Sequence, residues 1–238
     1  MRNFVIGALV VLAGLAAIFF FVFGGEAPDE VNVDVASEQL DADLAAEGVT
    51  AEFDGDINGQ WVVNNEVGEF NFETASGSFA GFRVDEELTI GEVVVVGRTA
   101  GVTGSLTIET DQLTNVDITV DMSTLASNDS RRDNAMRGAV GAADHPEATF
   151  VLTEPVTVPD GLADGQTISV EATGDLTVNG VTNSETFTID AVISNGFGVV
   201  TGSTEIVFAD YDVVAPSAPI VVSVDEEGIV EFQLIVQK

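Results

Sequence analysis

From residue 60 to the end of the chain, hydrophobic and polar residues alternate with a period of two. The alternation is clearest in residues 93–120, VVVVGRTAGVTGSLTIETDQLTNVDITV, where it predicts two strands. Leu106 and Ile108 share one face of the first strand. Ile118 and Val120 share one face of the second, and TDQLTN between them has turn chemistry. Strands of this kind are typical of an antiparallel sheet with one buried and one solvated face.

The same spacing recurs along the rest of the domain. Downstream segments have apolar residues two positions apart: Phe150 and Leu152, Ile168 and Val170, Leu176 and Val178, Phe187 and Ile189, Ile206 and Phe208, and Phe232, Leu234 and Val236. Upstream strands are predicted at Trp61 and Val63, at Phe70 and Phe72, and at 79–84. Asn179-Gly180 predicts a tight hairpin. The count is roughly eight strands, most of them beside their neighbours in sequence.

The N-terminal residues 4–23 contain no charge and no proline. A helix of about 20 such residues is about 30 Å long, which matches the hydrocarbon core of a bilayer. Arg2 precedes this segment and Glu26 follows it, so we expect the N-terminus in the cytoplasm and the remainder outside it. We predict an uncleaved transmembrane signal anchor at 1–25, with a cleaved signal peptide as the alternative. The predicted localisation is the cell membrane, with a single pass and the C-terminal domain outside the cytoplasm.

Residues 26–58 are acidic and almost free of aromatic side chains. Such a segment buries little apolar surface, so we predict an extended, charged linker between the anchor and a β domain at 59–238. Within the linker, SEQLDADLAAEG predicts a short helix that Ser37 caps and Gly48 ends.

The charge balance excludes several partners. The chain has 40 acidic and 7 basic residues, a net charge of -33, and Lys238 is its one lysine. Such a surface repels phosphate backbones and anionic headgroups, so we expect no nucleic-acid binding. Dense carboxylates on a lysine-poor chain also suggest adaptation to high salt. The chain has no cysteine, which excludes disulfides and thiolate chemistry.

The sequence DGDING, residues 54–59, matches the first half of a calcium loop, in which alternating oxygens face the ion. The twelfth position is Asn65 rather than the bidentate Glu, and Trp61 already begins a strand pattern. The sequence therefore favours a solvated acidic turn before the first strand, with calcium binding as the alternative. We predict no metal site and no cofactor.

The segment 123–149 is the one part of the domain without alternation, and it predicts a helical crossover. It carries three of the seven basic residues, Arg131, Arg132 and Arg137. On so acidic a chain these arginines are candidates to bind a phosphate or carboxylate headgroup. The alternative is that they tie the crossover to nearby Asp129, Asp133 and Asp144.

Catalysis is not expected from this sequence. A Ser-His-Asp site would depend on the single histidine, His145, which precedes Pro146, and no GxSxG motif is present. One imidazole cannot build a histidine-cluster metal site. We predict that the protein is not an enzyme.

Several motifs, in order, resemble the YceI family of lipocalin-like proteins. They are GFRVDEEL (81–88), VGRTAGVTG (96–104), SRRDNAMR (130–137), HPEATF (145–150), GDLTVNGVT (174–182) and IVEFQL (229–234). The resemblance covers about residues 61–238. The sequence departs from the family pattern at His145, where an aromatic residue usually precedes the proline, and at Ala135-Met136.

The resemblance implies an eight-stranded antiparallel lipocalin-like barrel with one short helical crossover, preceded here by the anchor and the linker. It also implies a polyisoprenoid ligand in the lumen, such as a quinone or a polyprenyl phosphate. Eight strands leave an interior wide enough for side chains or one small ligand, so the strand count agrees. The alternative is a lumen filled by its own side chains, in a ligand-free adhesion or protein-interaction module.

Alternation selects nine candidates for contact with the ligand in the lumen. They are Phe70, Phe72, Ile108, Met122, Phe150, Leu176, Phe187, Phe208 and Phe232. The expected partners are an isoprenoid lipid and, through the N-terminal helix, the membrane.

Overall fold

The protein is described by a computed structural model over residues 27–89, 91–127, 130–216 and 219–238, with the backbone alone at Arg131. The predicted transmembrane anchor lies outside these described residues. Within them, no helix combines the length and the apolar character that crossing a bilayer requires.

A single antiparallel sheet contains the strands of the described residues. They are β1 (Gly59–Val63), β2 (Phe79–Leu88), β3 (Gly91–Thr99), β4 (Val102–Glu109), β5 (Gln112–Asp121), β6 (Ala126–Ser127), β7 (Glu147–Leu152), β8 (Val156–Thr157), β9 (Ile168–Val178), β10 (Val181–Ser194), β11 (Phe197–Val207), β12 (Val221–Val224) and β13 (Glu227–Gln237).

Eight of these strands close a barrel, in the order β1-β4-β5-β7-β9-β10-β11-β13, and β13 returns to β1 through the pair Val63 and Val236. The first half of β13 pairs with β2 instead, and the sheet continues there through β3 to β6. β12 pairs with β2, and β8 pairs with β5. The prediction of an eight-stranded antiparallel barrel is therefore confirmed.

Two tight hairpins show how local sequence sets the register. Asn179 and Gly180, with φ of 52° and 76°, join Val178 to Val181, as predicted. Thr110 and Asp111, both at positive φ, join β4 to β5. This turn is shorter than predicted, because QLTN belongs to β5 rather than to the turn. The stretch 93–120 also contains three strands rather than two, because β3 and β4 are separate.

The linker is not extended throughout, because the predicted short helix within it is the 15-residue helix α1 (Val33–Glu47). Asn32, not Ser37, is the N-cap, and its Oδ1 accepts hydrogen bonds from the N–H groups of Asp34 and Val35 at 3.1 Å. Gly48 ends the helix at φ 69°, as predicted.

Helix α1 owes its stability to the barrel. One face of it buries Val33, Ala36, Leu40 and Leu44. These side chains pack against the outside of β10, β11 and β13, on Val192, Phe197, Val199 and Ile235. An isolated helix of this length is marginal in water, so the packing of this face against the barrel stabilises the helix.

The second helix, α2 (Ser130–Ala139), is the predicted crossover between β6 and β7. Met136 of α2, and Val140 just after its last residue, pack against Leu125, with Phe82 of β2 alongside. Short 3₁₀ turns at Met122–Thr124, Leu162–Asp164 and Phe208–Tyr211 complete the connections. The helices therefore lie in different places, α1 on the outer wall and α2 beside one end of the barrel.

Candidate functional site

The interior of the barrel is a cavity of about 540 Å³. Strand β13 shows how the strands line it, since Val230, Phe232, Leu234 and Val236 alternate inward. The other lining residues are apolar too, except Glu86, Arg132 and Thr149, and Glu231, which borders the cavity but whose carboxylate pairs with Arg83 and Arg98 on the other face of β13. A space with this lining favours a hydrocarbon ligand over a polar one.

One end of the cavity is closed by side chains around Trp61, which is 2% exposed. The indole Nε1 donates a hydrogen bond to the carbonyl oxygen of Ile57 at 2.9 Å. Leu162, from the 3₁₀ turn before β9, belongs to the same buried cluster. The indole is thereby fixed as part of the closed end.

Three phenylalanines form an aromatic cluster in the wall. The ring centroids of Phe150 and Phe187 are 5.1 Å apart, nearly perpendicular, and those of Phe187 and Phe232 are 5.7 Å apart. Two strand glycines make room for these rings. A Cβ at Gly174 would stand 2.5 Å from the Phe150 ring, and one at Gly202 2.5 Å from the Phe232 ring.

The mouth of the cavity lies between α2 and the segment after the last 3₁₀ turn. The described lining residues that are also exposed are Ala135 of α2 and Ala215, Pro216 and Ile220 of that segment. The segment is held to the β2–β3 hairpin by β12 and by a hydrogen bond from Thr89 N–H to the Ile220 carbonyl oxygen at 2.9 Å. The cavity therefore opens at this end.

Two charged side chains, Glu86 and Arg132, belong to the lining on the side of the mouth, on β2 and α2. Partial burial raises the pKa of Glu86 above its ordinary value of 4.5, and the positive charge of Arg132 opposes that rise. The mouth thus offers one cation and one carboxylate at the edge of an apolar chamber.

Comparison with known proteins now identifies the fold. The family model of the YceI-like domain matches residues 70–236, more than half of the chain. The chain belongs to the YceI-like family. A search of curated protein sequences finds no significant match.

Two solved structures share the YceI-like barrel. A polyisoprenoid binding domain from Saccharophagus degradans, implicated in plant cell wall breakdown, is 18% identical with a TM-score of 0.57. That match covers 74% of this chain and 97% of the other. BcnA from Burkholderia cenocepacia is also 18% identical, with a TM-score of 0.51 and coverage of 66% and 95%. At this identity the likeness shows a shared fold.

Most of the lumen candidates do line the cavity of this YceI-like barrel. They are Ile108, Met122, Phe150, Leu176, Phe187, Phe208 and Phe232. Five of them lie on strands, where residues two apart share a face, whereas Met122 and Phe208 each begin a 3₁₀ turn at the end of a strand. Their contact with a ligand stays a prediction.

Phe70 and Phe72 do not line the cavity, and the strand predicted for them is wrong. They belong to the connection between β1 and β2, residues 64–78, which folds over the outside of the barrel. The Phe70 ring lies 6.1 Å from the ring of Phe79. The cause is local, since Asn71 Oδ1 accepts hydrogen bonds from the N–H groups of Glu73 and Thr74 and turns the chain.

The three arginines of the crossover have different positions. Arg132 lines the cavity, as described above. Arg137 ties α2 to the preceding chain, because it donates to the Leu125 carbonyl oxygen at 2.7 Å and to Asn134 Oδ1 at 2.9 Å. The side chain of Arg131 lies outside the described structure. Among the headgroup candidates with a described side chain, Arg132 alone belongs to the cavity lining.

The other sequence motifs lie away from the cavity lining. In DGDING, Asp54 Oδ1 accepts from Asp56 N–H at 3.0 Å and Asp56 Oδ1 from Asn58 N–H at 2.9 Å, so the segment forms a turn that leads into β1. The hydrogen bonds from Asn58 lower the pKa of Asp56. His145 is exposed, and its ring lies against Gly180 of the β9–β10 turn.

Sequence reasoning missed a buried ionic cluster on the outer wall. Glu231, 1% exposed, accepts from Arg83 Nε at 3.0 Å and from Arg98 Nη2 at 2.8 Å. Arg98 also lies 4.5 Å from the centroid of the Phe79 ring. The sequence signal that could have revealed this cluster is the position of two arginines within strands, in a chain with few basic residues.

The same cluster holds the segment that precedes α1. Arg83 Nη2 donates to the carbonyl oxygens of Pro28 at 3.3 Å and Asp29 at 3.0 Å. Arg98 Nη2 donates to the carbonyl oxygen of Asp29 at 2.9 Å, and its Nη1 donates to the carbonyl oxygen of Phe72 at 3.4 Å. The ion pairs therefore connect the barrel wall with the N-terminal segment and with the connection between β1 and β2.

Proposed function

We propose that this YceI-like protein binds a polyisoprenoid lipid, with the tail in the cavity and the headgroup at the mouth. The observation that carries the proposal is the apolar chamber of about 540 Å³, open at one end. Sites for small molecules have volumes of about 300–1,000 Å³. The shared fold of the Saccharophagus degradans polyisoprenoid binding domain supports the same ligand class.

The chemistry of the walls supports a branched hydrocarbon tail. Each buried methylene of a ligand contributes about 0.8 kcal/mol. Along the chamber, methyl groups and the rings of Phe150, Phe187 and Phe232 offer contact without demanding polar partners. A polar headgroup loses its hydration inside such walls, so it stays at the mouth, where Arg132 offers a positive charge.

The function we propose is binding without catalysis. The one histidine, His145, packs against a hairpin turn and is not part of the cavity lining.

We further propose that the barrel stands outside the cytoplasm on the N-terminal anchor, because residues 4–23 have the length and composition of a membrane span.

The decisive experiment compares the lipid that the full chain retains with the lipid retained by a variant whose lumen is filled. Val200 lines the cavity in β11, whereas Val207 of the same strand is 37% exposed on the surface. The full chain is purified in nanodiscs of one synthetic phospholipid, and bound lipid is extracted and identified by mass spectrometry. We expect a prenyl lipid with wild type and with Val207→Phe, and a several-fold smaller amount with Val200→Phe.

The single tryptophan gives an independent measurement. Trp61 forms the closed end, so a prenyl lipid with a nitroxide at the end of its tail, which quenches only at short range, should quench its fluorescence only if the tail reaches that end. Two results of the lipid extraction would contradict the proposal. One is an equal amount of bound lipid in wild type, Val200→Phe and Val207→Phe, and the other is empty preparations that take up no added quinone. Empty preparations would instead favour the ligand-free interaction module.

A further inference from the structure

The segment that borders the mouth exposes apolar side chains to solvent. We name residues 213–216 and 219–224 the mouth rim. Val214 is 77% exposed and Val222 is 57% exposed, the largest fractions among the exposed large hydrophobic residues of the described chain. Ile220 is 41% exposed. Apolar residues gathered in this way on a surface mark a site of interaction.

The mouth rim is continuous with the cavity. Val213, Ala215, Pro216, Ile220 and Val221 all contribute to the cavity lining, and three of them are exposed as well. An apolar ligand that enters or leaves at this end must cross the rim. A partner seated on the rim would therefore meet the ligand directly, without a step through water.

Charge indicates which partner fits. The sequence from 213 to 224 contains no charged residue, between Asp212 and Asp225, in a chain of net charge -33. The rest of the surface repels anionic membranes and other acidic surfaces. A neutral lipid surface avoids that repulsion and accepts valine and isoleucine side chains.

We propose that the mouth rim docks on an electrically neutral lipid bilayer, with Val214, Ile220 and Val222 inserted among the lipids. This contact is separate from the N-terminal anchor and places the opening of the cavity against the membrane. The inference concerns the rim alone and does not depend on which ligand occupies the cavity.

The chain has no cysteine, so single-cysteine variants can carry one environment-sensitive dye each. Val214→Cys and Val222→Cys place the dye on the rim. Val35→Cys on α1, 52% exposed, and Val151→Cys on β7, 41% exposed, are matched controls. The labelled full chain is reconstituted in phosphatidylcholine vesicles that contain lipid spin-labelled near the headgroup. We expect quenching at both rim sites to exceed that at both controls several-fold.

Lipid charge and salt sharpen the test. Replacing part of the phosphatidylcholine by phosphatidylglycerol should reduce quenching at the rim, and added salt should restore it, because salt screens the repulsion. In a further variant, Val214→Asp and Val222→Asp are combined with Ser223→Cys, which carries the dye. We expect quenching of this dye to fall to the level of the control sites. The lipid extracted from the cavity is measured separately, so failure of docking and failure of ligand binding are distinguishable.

Three outcomes would overturn the proposal. The first is equal quenching at rim and control sites. The second is stronger rim quenching with anionic lipid, which would indicate a basic docking site. The third is a rim dye that spin-labelled lipid does not quench but that becomes shielded as protein density rises, which would make the rim an interface between copies of the chain.

Discussion

Both faces of β13 contain buried side chains, but they are buried by different means. On the outer face, Glu231, Gln233 and Ile235 are 1%, 4% and 0% exposed. On the inner face, Leu234 and Val236 are 4% and 2% exposed. The outer face is covered by α1 and by the connection between β1 and β2, whereas the inner face borders a cavity of about 540 Å³.

The difference lies in where the packing partner comes from. Gln233 on the outer face donates to the carbonyl oxygens of Ala75 and Gly77, both at 3.0 Å. Among the described residues, every buried side-chain polar atom has a hydrogen-bond partner. On the inner face the chain supplies walls but leaves the centre unfilled. Burial alone therefore does not distinguish a structural core from a binding chamber, since only the second leaves space for another molecule.

The largest effect is expected where the outer face buries charge. Glu231→Gln leaves Arg83 and Arg98 buried without a counter-charge, so we expect the free energy of unfolding to fall by about 3–5 kcal/mol. Denaturant unfolding of the full chain measures this change. The control is Glu227→Gln, an exposed acid on the same strand, which should change stability by less than about 0.5 kcal/mol. A comparably small effect for Glu231→Gln would show that the cluster is not held as a unit.

A second loss is expected where α1 covers the barrel. Leu40 is fully buried, and Leu40→Ala should cost about 2–5 kcal/mol through lost apolar contact and a residual void. Val35→Ala on the exposed side of the same helix should cost less than about 0.5 kcal/mol. Thermal unfolding measures the stability of both variants. An equal loss of stability in the two would contradict the packing of α1 on the barrel.

The barrel was largely predictable, because alternation is a local property of each strand. Strands β7, β9 and β13 follow from residues such as Phe150, Leu176 and Phe232, and Asn179-Gly180 sets one hairpin. Five of the seven candidates that line the cavity are strand residues and follow from the same periodicity. In contrast, Phe70 and Phe72 have the right spacing but fall in a turn that Asn71 stabilises, which the spacing does not reveal.

The remaining features depend on long-range contacts. Arg83 and Arg98 would be expected in solvent from their neighbours in sequence, and only the register of β13, β2 and β3 brings Glu231 between them. Helix α1 was missed as a packed element because four spaced apolar residues in an acidic segment are a weak signal. The mouth rim also depends on tertiary placement, since an uncharged segment alone does not reveal that it borders a cavity.

A smaller effect, unequal on the two faces, is expected from added volume. Ala36 of α1 is 1% exposed against the outer wall, so Ala36→Leu should cost about 1–3 kcal/mol through overpacking. Ala191 lines the cavity, so Ala191→Leu should cost less than about 1 kcal/mol and reduce the amount of retained lipid. Denaturant unfolding and lipid extraction measure the two properties. Equal destabilisation by both would mean that the cavity does not accept added side-chain atoms.

The smallest effect concerns the carboxylate at the mouth. Burial raises the pKa of Glu86 above 4.5, although Arg132 opposes the rise, so folding is disfavoured when this group is charged. Its contribution to stability is fully present below pH 4.5 and is lost as the pH rises through the raised pKa of the folded state. Glu86→Gln should therefore be slightly more stable than wild type at neutral pH and equal to it in acid.

Thermal unfolding of wild type and of Glu86→Gln is measured across this pH range. The difference in stability between the two proteins isolates the contribution of Glu86 from that of the other acids of the chain. Glu92→Gln, an exposed acid on the same β2–β3 hairpin, serves as the control. A Glu86→Gln variant that loses stability at neutral pH would mean that attraction to Arg132 outweighs desolvation. In that case the mouth would resemble the outer face, where paired charges hold the wall together.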